Sequence, residues 1–177
     1  PLSKTSWAYP ENAQPVYPFD TQKALEYFQK AGYVQTTQNG KTVLVKGGKQ
    51  LKIQVGIGGE GMMDHPSAPI LTQMKIELEK LGGVLDIVDC DMNLLVDNLD
   101  AGEWDMWAAS WELTADPDMY QKYHSQATSN YYGLSNPQLD ELLVSARSTT
   151  DMDKRKQDYA NILDMVMDEA VEMPVYQ

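Results

Sequence analysis

Three β-rich runs alternate with two helical ones between residues 51 and 110, and this alternation limits the possible folds more than any other feature of the chain. "LKIQVGIG" reads as a strand ending in glycines. A helix follows, opened by Asp64 and Pro66, carrying Ile70, Leu71, Met74, Leu78 and Leu81, and closed by Gly82-Gly83. "VLDIVDC" is the next strand, with apolar residues 84, 85, 87 and 88 spaced for burial from both faces. Asp91 then starts a short helix through Leu94, Leu95 and Leu99. "WDMWAAS" is the third strand, with Met106, Ala108 and Ser110 on one face and Trp107 and Ala109 on the other. Strand, helix, strand, helix, strand predicts an α/β fold whose sheet is at least partly parallel, with crossover helices on its faces.

The flanking segments extend the same unit. Asp20 or Thr21 can cap a helix with the stripe Ala24, Leu25, Phe28 and Ala31, stopped by Gly32. Thr42 to Lys46 and Leu51 to Ile57 read as a hairpin around Gly47-Gly48. The last third is helical. Asn136-Pro137 opens one helix with Leu139, Leu142, Leu143 and Ala146 inward; Asp151 caps a longer one with Tyr159, Ile162, Leu163, Val166 and Ala170 inward. "VEMPVY" reads as a short strand, placed by Pro174 at an edge or a strand start. The opening "PLSKTSWAYPENAQPVYPFD" has four prolines and no helical or strand period, so residues 1–18 are expected to be an extended connector and 19–177 a single lobe.

Several chemistries are excluded or left without support. Lys+Arg of 14 against Asp+Glu of 26 gives a net charge of -12, which repels nucleic acid and anionic membranes. The single Cys90 can form no internal disulfide and, with two His, makes no zinc-site spacing. No apolar run is long enough for a membrane span, and the start shows neither an apolar h-region nor a cleavage-site pattern. "GIGGEGMMDHPSAP" is glycine-rich but lacks the cation of a phosphate loop, so its glycines are expected to turn the backbone at a strand end. Neither His65 nor His124 sits in a nucleophile motif, and no catalytic, metal-binding or cofactor residue is assigned. Asp86, Asp89 and Asp91 lack calcium-loop spacing.

"WELTADPDMYQKYHS", residues 111–125, sets aromatic and acidic side chains around an Asp-Pro-Asp turn. Trp107 fits a core role, whereas Trp111 lies where strand gives way to polar loop, a place where a flat ring can stack on a ligand. Asp116 and Asp118 can also cap the short helix that begins after Pro117, and for Asp116 capping and ligand contact stand as equal alternatives.

"YPFDTQKALEYFQKAGY", "LKIQVGIG", "LEKLGGVLDI", "GEWDMWAASWELTADPDMYQKYHS", "NYYGLSNPQLDELLVSAR", "DMDKRKQDYANILDMV" and "EMPVYQ", in that order, resemble the C-terminal lobe of bacterial extracellular solute-binding proteins of family 5. These are the oligopeptide, dipeptide and nickel-type receptors of ABC importers. The resemblance covers about residues 15 to 177. It implies a periplasmic-binding-protein-like type II lobe, a mixed sheet flanked by helices, joined through hinge segments to a larger N-terminal part. It implies an oligopeptide ligand between the lobes, or in the alternative a nickel chelate, heme, oligosaccharide or opine. Membrane permease subunits would be its partners, and the location would be extracellular, as a lipoprotein or in the periplasm; the lobe itself is expected to be a monomer.

In peptide-binding members an Asp pairs with the ligand's amino group at the position where this chain has Thr114. "NYYGLSNP" matches a region at the cleft rim. Trp111, Glu112, Thr114, Asp116, Asn130, Tyr131 and Tyr132 are therefore the expected ligand residues. A free-standing carboxylate hydrolase and a protein-docking module are the rival readings from other classes.

Overall fold

The computed structural model describes residues 2–14, 16–59, 65–110 and 114–175. It divides into two compact units, residues 17–110 and residues 1–16 with 111–177.

In the first unit the strand-helix alternation forms as expected. β4 (Lys52–Gly58) lies between β5 (Val84–Cys90) and β6 (Met106–Ala108), parallel to both. The crossovers are α2 (Ala68–Leu81) and α3 (Met92–Ala101). Val55, Ile57 and Leu85 are buried with Leu71 of α2, and Met74, Leu78, Met106 and Ala108 pack around them. The glycines of "GIG" have a different task from the one their loop-like pattern suggests. Gly56 and Gly58 are inside β4, where a Cβ would fall 2.7 Å from the Trp104 ring and 2.8 Å from Leu95 respectively. Their missing side chains let α3 and Trp104 lie close on the strand, and Trp104 Nε1 donates to the Leu95 carbonyl.

Upstream are α1 (Thr21–Lys30), β1 (Val34–Gln38), β2 (Lys41–Lys46) and β3 (Lys49–Gln50). The three strands form an antiparallel sheet in the order β1-β2-β3. Mixed strand directions are thus present, antiparallel in this sheet and parallel in the other. Gly47-Gly48 does turn a hairpin, but only Lys49 and Gln50 complete it. At Leu51 the chain changes sheets: its N–H donates to Leu44, its carbonyl accepts from Val84, and β4 continues into the parallel sheet. β1 is absent from the sequence reading. All five of its residues are exposed, so it has no apolar alternation, yet Asn39 and Gly40 at positive φ make the tight turn into β2.

α2 begins at Ala68 after Ser67, with Pro69 in its first turn; Pro66 precedes it, and Asp64 lies outside the described residues. Of the four apolar residues of β5, only Leu85 is buried and the others are half-buried, and Leu94 of α3 is exposed rather than inward. β6 is three residues long, so Ala109 and Ser110 fall beyond it.

The second unit packs α4 (Tyr120–Tyr123), α5 (Pro137–Ser148) and α6 (Met152–Asp168) around one core. Leu139, Leu143 and Ala146 of α5 meet Tyr159, Ile162, Leu163 and Val166 of α6, as the stripes predict. Ala170 does not join them; it is exposed past the helix end at φ 53°. Residues 171–175 form no strand. The N-terminal segment is folded in turns rather than extended, with Tyr9 N–H donating to the Ser6 carbonyl. Ala8 is buried in the helical core, and Trp7 meets Tyr159 edge-on at 5.9 Å.

Candidate functional site

The Asp-Pro-Asp turn at 116–118 is tied to both long helices of its unit. Arg155 of α6 donates through Nη2 to Asp116 Oδ1 at 3.0 Å and Oδ2 at 3.2 Å. Arg147 of α5 donates to Asp118 Oδ2 from Nε and Nη2, both at 2.9 Å. Asp118 Oδ1 also accepts from the Tyr120 N–H at the start of α4. Neither acid is the N-cap of α4, which is Met119; Asp118 holds the turn one residue earlier, and both acids are ion-paired. Thr114 donates through Oγ1 to the Asp116 carbonyl.

The aromatic side chains of this stretch are arranged by the same contacts. The Arg147 guanidinium lies 4.4 Å from the centre of the Tyr120 ring, and the His124 ring stacks on Tyr120 at 4.2 Å. His124 is buried, and its Nδ1 accepts from the Gln126 N–H, as suits a structural histidine. Beside it Asp140 accepts two hydrogen bonds from Ser125. Burial would raise the Asp140 carboxyl, but the two Ser125 donors and His124 outweigh it and hold the group below the usual carboxylate range.

Asn130, Tyr131 and Tyr132 share the next loop. Asn130 is fully engaged in shaping it: Nδ2 donates to the carbonyls of His124 and Leu134, and Oδ1 accepts from the Leu134 N–H. Tyr131 is half-buried. Tyr132, also half-buried, stacks on Tyr123 at 5.6 Å and donates its hydroxyl to Glu172 Oε2.

Glu172 is a centre the sequence reading missed. Its Oε2 accepts from Tyr123 at 2.6 Å and Tyr132 at 3.0 Å, and pairs with Lys122 at 2.7 Å. Burial would push the Glu172 carboxyl up, but the Lys122 ammonium and the Tyr123 hydroxyl pull it down to about 2. Burial, reinforced by the Glu172 charge, drives both phenols far above their ordinary value. Arg147, Arg155 and Lys122 were equally absent from the expected site. The available signal was charge spacing: two acids two apart in the turn, and two arginines eight apart on consecutive helices.

A groove of about 590 Å³ runs along α5 and α6, lined in part by Glu141, Ser145, Lys154, Asp158, Asn161 and Asp164. Within it Ser145 donates to Asp158 at 2.7 Å, and Lys154 contacts both. The trio is a hydrogen-bonded, ion-paired brace between the two helices. Among the described residues no three His, Cys, Asp or Glu side chains are grouped to hold a metal ion, and no helix is long and apolar enough to cross a membrane. Trp111 and Glu112, two of the expected ligand residues, lie outside the described residues.

No protein-family model matches the chain. Over 175 residues, 96% of its length, it is 25% identical to the oligopeptide-binding protein AppA of Bacillus subtilis (strain 168). The structure of AppA in complex with a nonapeptide aligns with 97% of the chain at a TM-score of 0.83 and 23% identity. The chain is a homologue of the family 5 solute-binding proteins. Its fold is that of a type II periplasmic binding protein. NikZ from Campylobacter jejuni, a structure in complex with Ni(L-His), aligns with 94% of the chain at a TM-score of 0.76 and 23% identity. The chain spans about a third of these family 5 proteins, 31% of AppA by sequence and 33% of NikZ by structure.

Proposed function

We propose that this chain is the C-terminal ligand-binding lobe of a two-lobe receptor that captures oligopeptides for an ABC importer. The observation that carries the reading is the likeness to AppA, which extends over nearly the whole chain and whose structure holds a nonapeptide. The role is binding without catalysis: two lobes close on the solute by hinge motion and present it to permease subunits in the membrane. Residues 1–18 serve as the hinge side of the lobe, and the receptor works outside the cytoplasm, as a lipoprotein or in the periplasm. The net charge of -12 keeps it clear of nucleic acid.

On this reading the ligand wall is the stretch from Trp111 to Thr114 together with Tyr131 and Tyr132. Aromatic rings and hydroxyls can cover a peptide backbone while ignoring its side chains, which suits a receptor for many sequences. Asn130 contributes by shaping the rim loop, since its amide is already engaged there. The likeness to NikZ supports a second reading, a nickel chelate as the solute.

Native mass spectrometry of the protein at its natural length, purified without denaturation, separates the two. A ladder of peptide masses released from the protein is the expected result. A single non-peptide mass, or a mass increment of nickel with a small chelator, would replace the peptide reading with the second.

A further inference from the structure

We infer that Asp116 is a strut of the candidate ligand wall, fixed by Arg155, and that it is not the receptor for a cationic group of the ligand. This rests on the peptide reading above and narrows it: the pairing that makes the loop rigid also takes away its nearest described acid.

Arg155 is set in place by contacts other than Asp116. Its Nε donates to the Ala146 carbonyl at 2.8 Å, its Nη2 reaches the Tyr159 hydroxyl, and its guanidinium lies 5.2 Å from the Trp7 ring centre and 5.7 Å from that of Tyr159. Only 16% of the side chain is exposed, against 61% for Asp116. An exposed ion pair normally gains little because two long side chains must be ordered to make it. Here the arginine is ordered by its own surroundings, so only the short Asp116 side chain has to be held. An incoming ammonium would have to displace Arg155, leaving a largely buried guanidinium without its carboxylate, or share a carboxylate whose charge is already balanced. Both alternatives weaken any pull of Asp116 on a cation. Pro117, buried between the two paired acids, and Arg147 on Asp118 hold the turn at a second point. The position of the turn at 116–118 is thereby set from α5 and α6, and Arg155 is a positioning residue for it.

The test is calorimetric titration of the natural-length protein with a mixed-sequence hexapeptide pool, once with free and once with acetylated amino termini. Wild type, Asp116→Asn, Arg155→Met and Arg155→Lys are compared. The strut predicts that Arg155→Met weakens both pools alike, by roughly tenfold, that Arg155→Lys, which keeps the charge, loses less, and that Asp116→Asn leaves the ratio of the two affinities as in wild type. Loss of a free-amino preference in Asp116→Asn would overturn it. If wild type binds neither pool, the peptide reading fails instead. Amide hydrogen exchange then decides the strut alone: residues 114–119 should exchange faster in Arg155→Met and in Asp116→Asn, and unchanged exchange in both refutes it.

Discussion

Three donors converge on one oxygen of Glu172, and this makes its proton equilibrium a property of the fold. The carboxyl titrates at about 2 in the folded protein against an ordinary 4.5. The folded state therefore takes up this proton later than the unfolded state as acid is added. Stability from the contact is complete above pH 4.5 and is lost as the pH falls from there towards 2. We expect Glu172→Gln to cost on the order of 2 to 3 kcal/mol at neutral pH, and to flatten the dependence of unfolding free energy on pH across that window. Urea melts of both proteins at a series of pH values measure this; parallel curves would refute it. Glu172 was not legible in the sequence, because nothing in "VEMPVY" marks a carboxylate that three residues 40 to 50 positions upstream will surround. The ion pair of Asp116 was hidden for the same reason. A carboxylate's partner 39 residues away is chosen by tertiary packing; charge spacing marks Arg147 and Arg155 as a pair but does not say which acid each one meets.

Helix starts, by contrast, were readable because a cap is a local bond. Asp20, Asp91, Asn136 and Asp151 each accept backbone N–H groups at the first turn of their helices, as the sequence predicts. Asn136→Ala should cost about 1 kcal/mol, measurable as a lowered denaturation midpoint with an unchanged denaturant slope. Strands were harder. β1 has no apolar face to betray it, the Gly47-Gly48 hairpin ends after two residues because Leu51 is claimed by another sheet, and residues 171–175 have strand composition but form no strand. The junction of α2 with the antiparallel sheet is a sharper test of the elements. Gly82 caps α2 at φ 96°, its carbonyl accepts from the Leu44 N–H and the Gln50 side chain, and a Cβ there would lie 2.6 Å from the Val43 backbone. Gly82→Ala combines a disfavoured backbone conformation with a clash against main chain that cannot swing aside. A loss of roughly 2 kcal/mol or more is expected in thermal or urea unfolding; near-neutral behaviour would mean that β2 and the end of α2 are not joined as described.

For the whole molecule, charge and chain order matter most. With a net charge of -12, the protein should not shift duplex DNA in a mobility assay at physiological salt, and its solubility should fall to a minimum near its isoelectric point of 4.4. The helical unit is discontinuous, its core drawing Ala8, Trp7 and Leu2 from one end of the chain and the α5 and α6 stripes from the other. Deleting residues 1–16 uncovers that core and removes the Trp7 edge from Tyr159; we expect the melting temperature to fall by roughly 5 °C or more. An unchanged melting temperature would show the turns to be ornamental. The same discontinuity imposes a timetable on a newborn chain. Residues 17–110 can close on themselves as soon as they emerge, but Ala8 must wait for Val166. At ordinary rates of synthesis that delay is on the order of ten seconds or more. For that interval the helical core lacks most of its members, and the apolar side chains of Leu2, Trp7 and Ala8 face water with nothing yet to cover them.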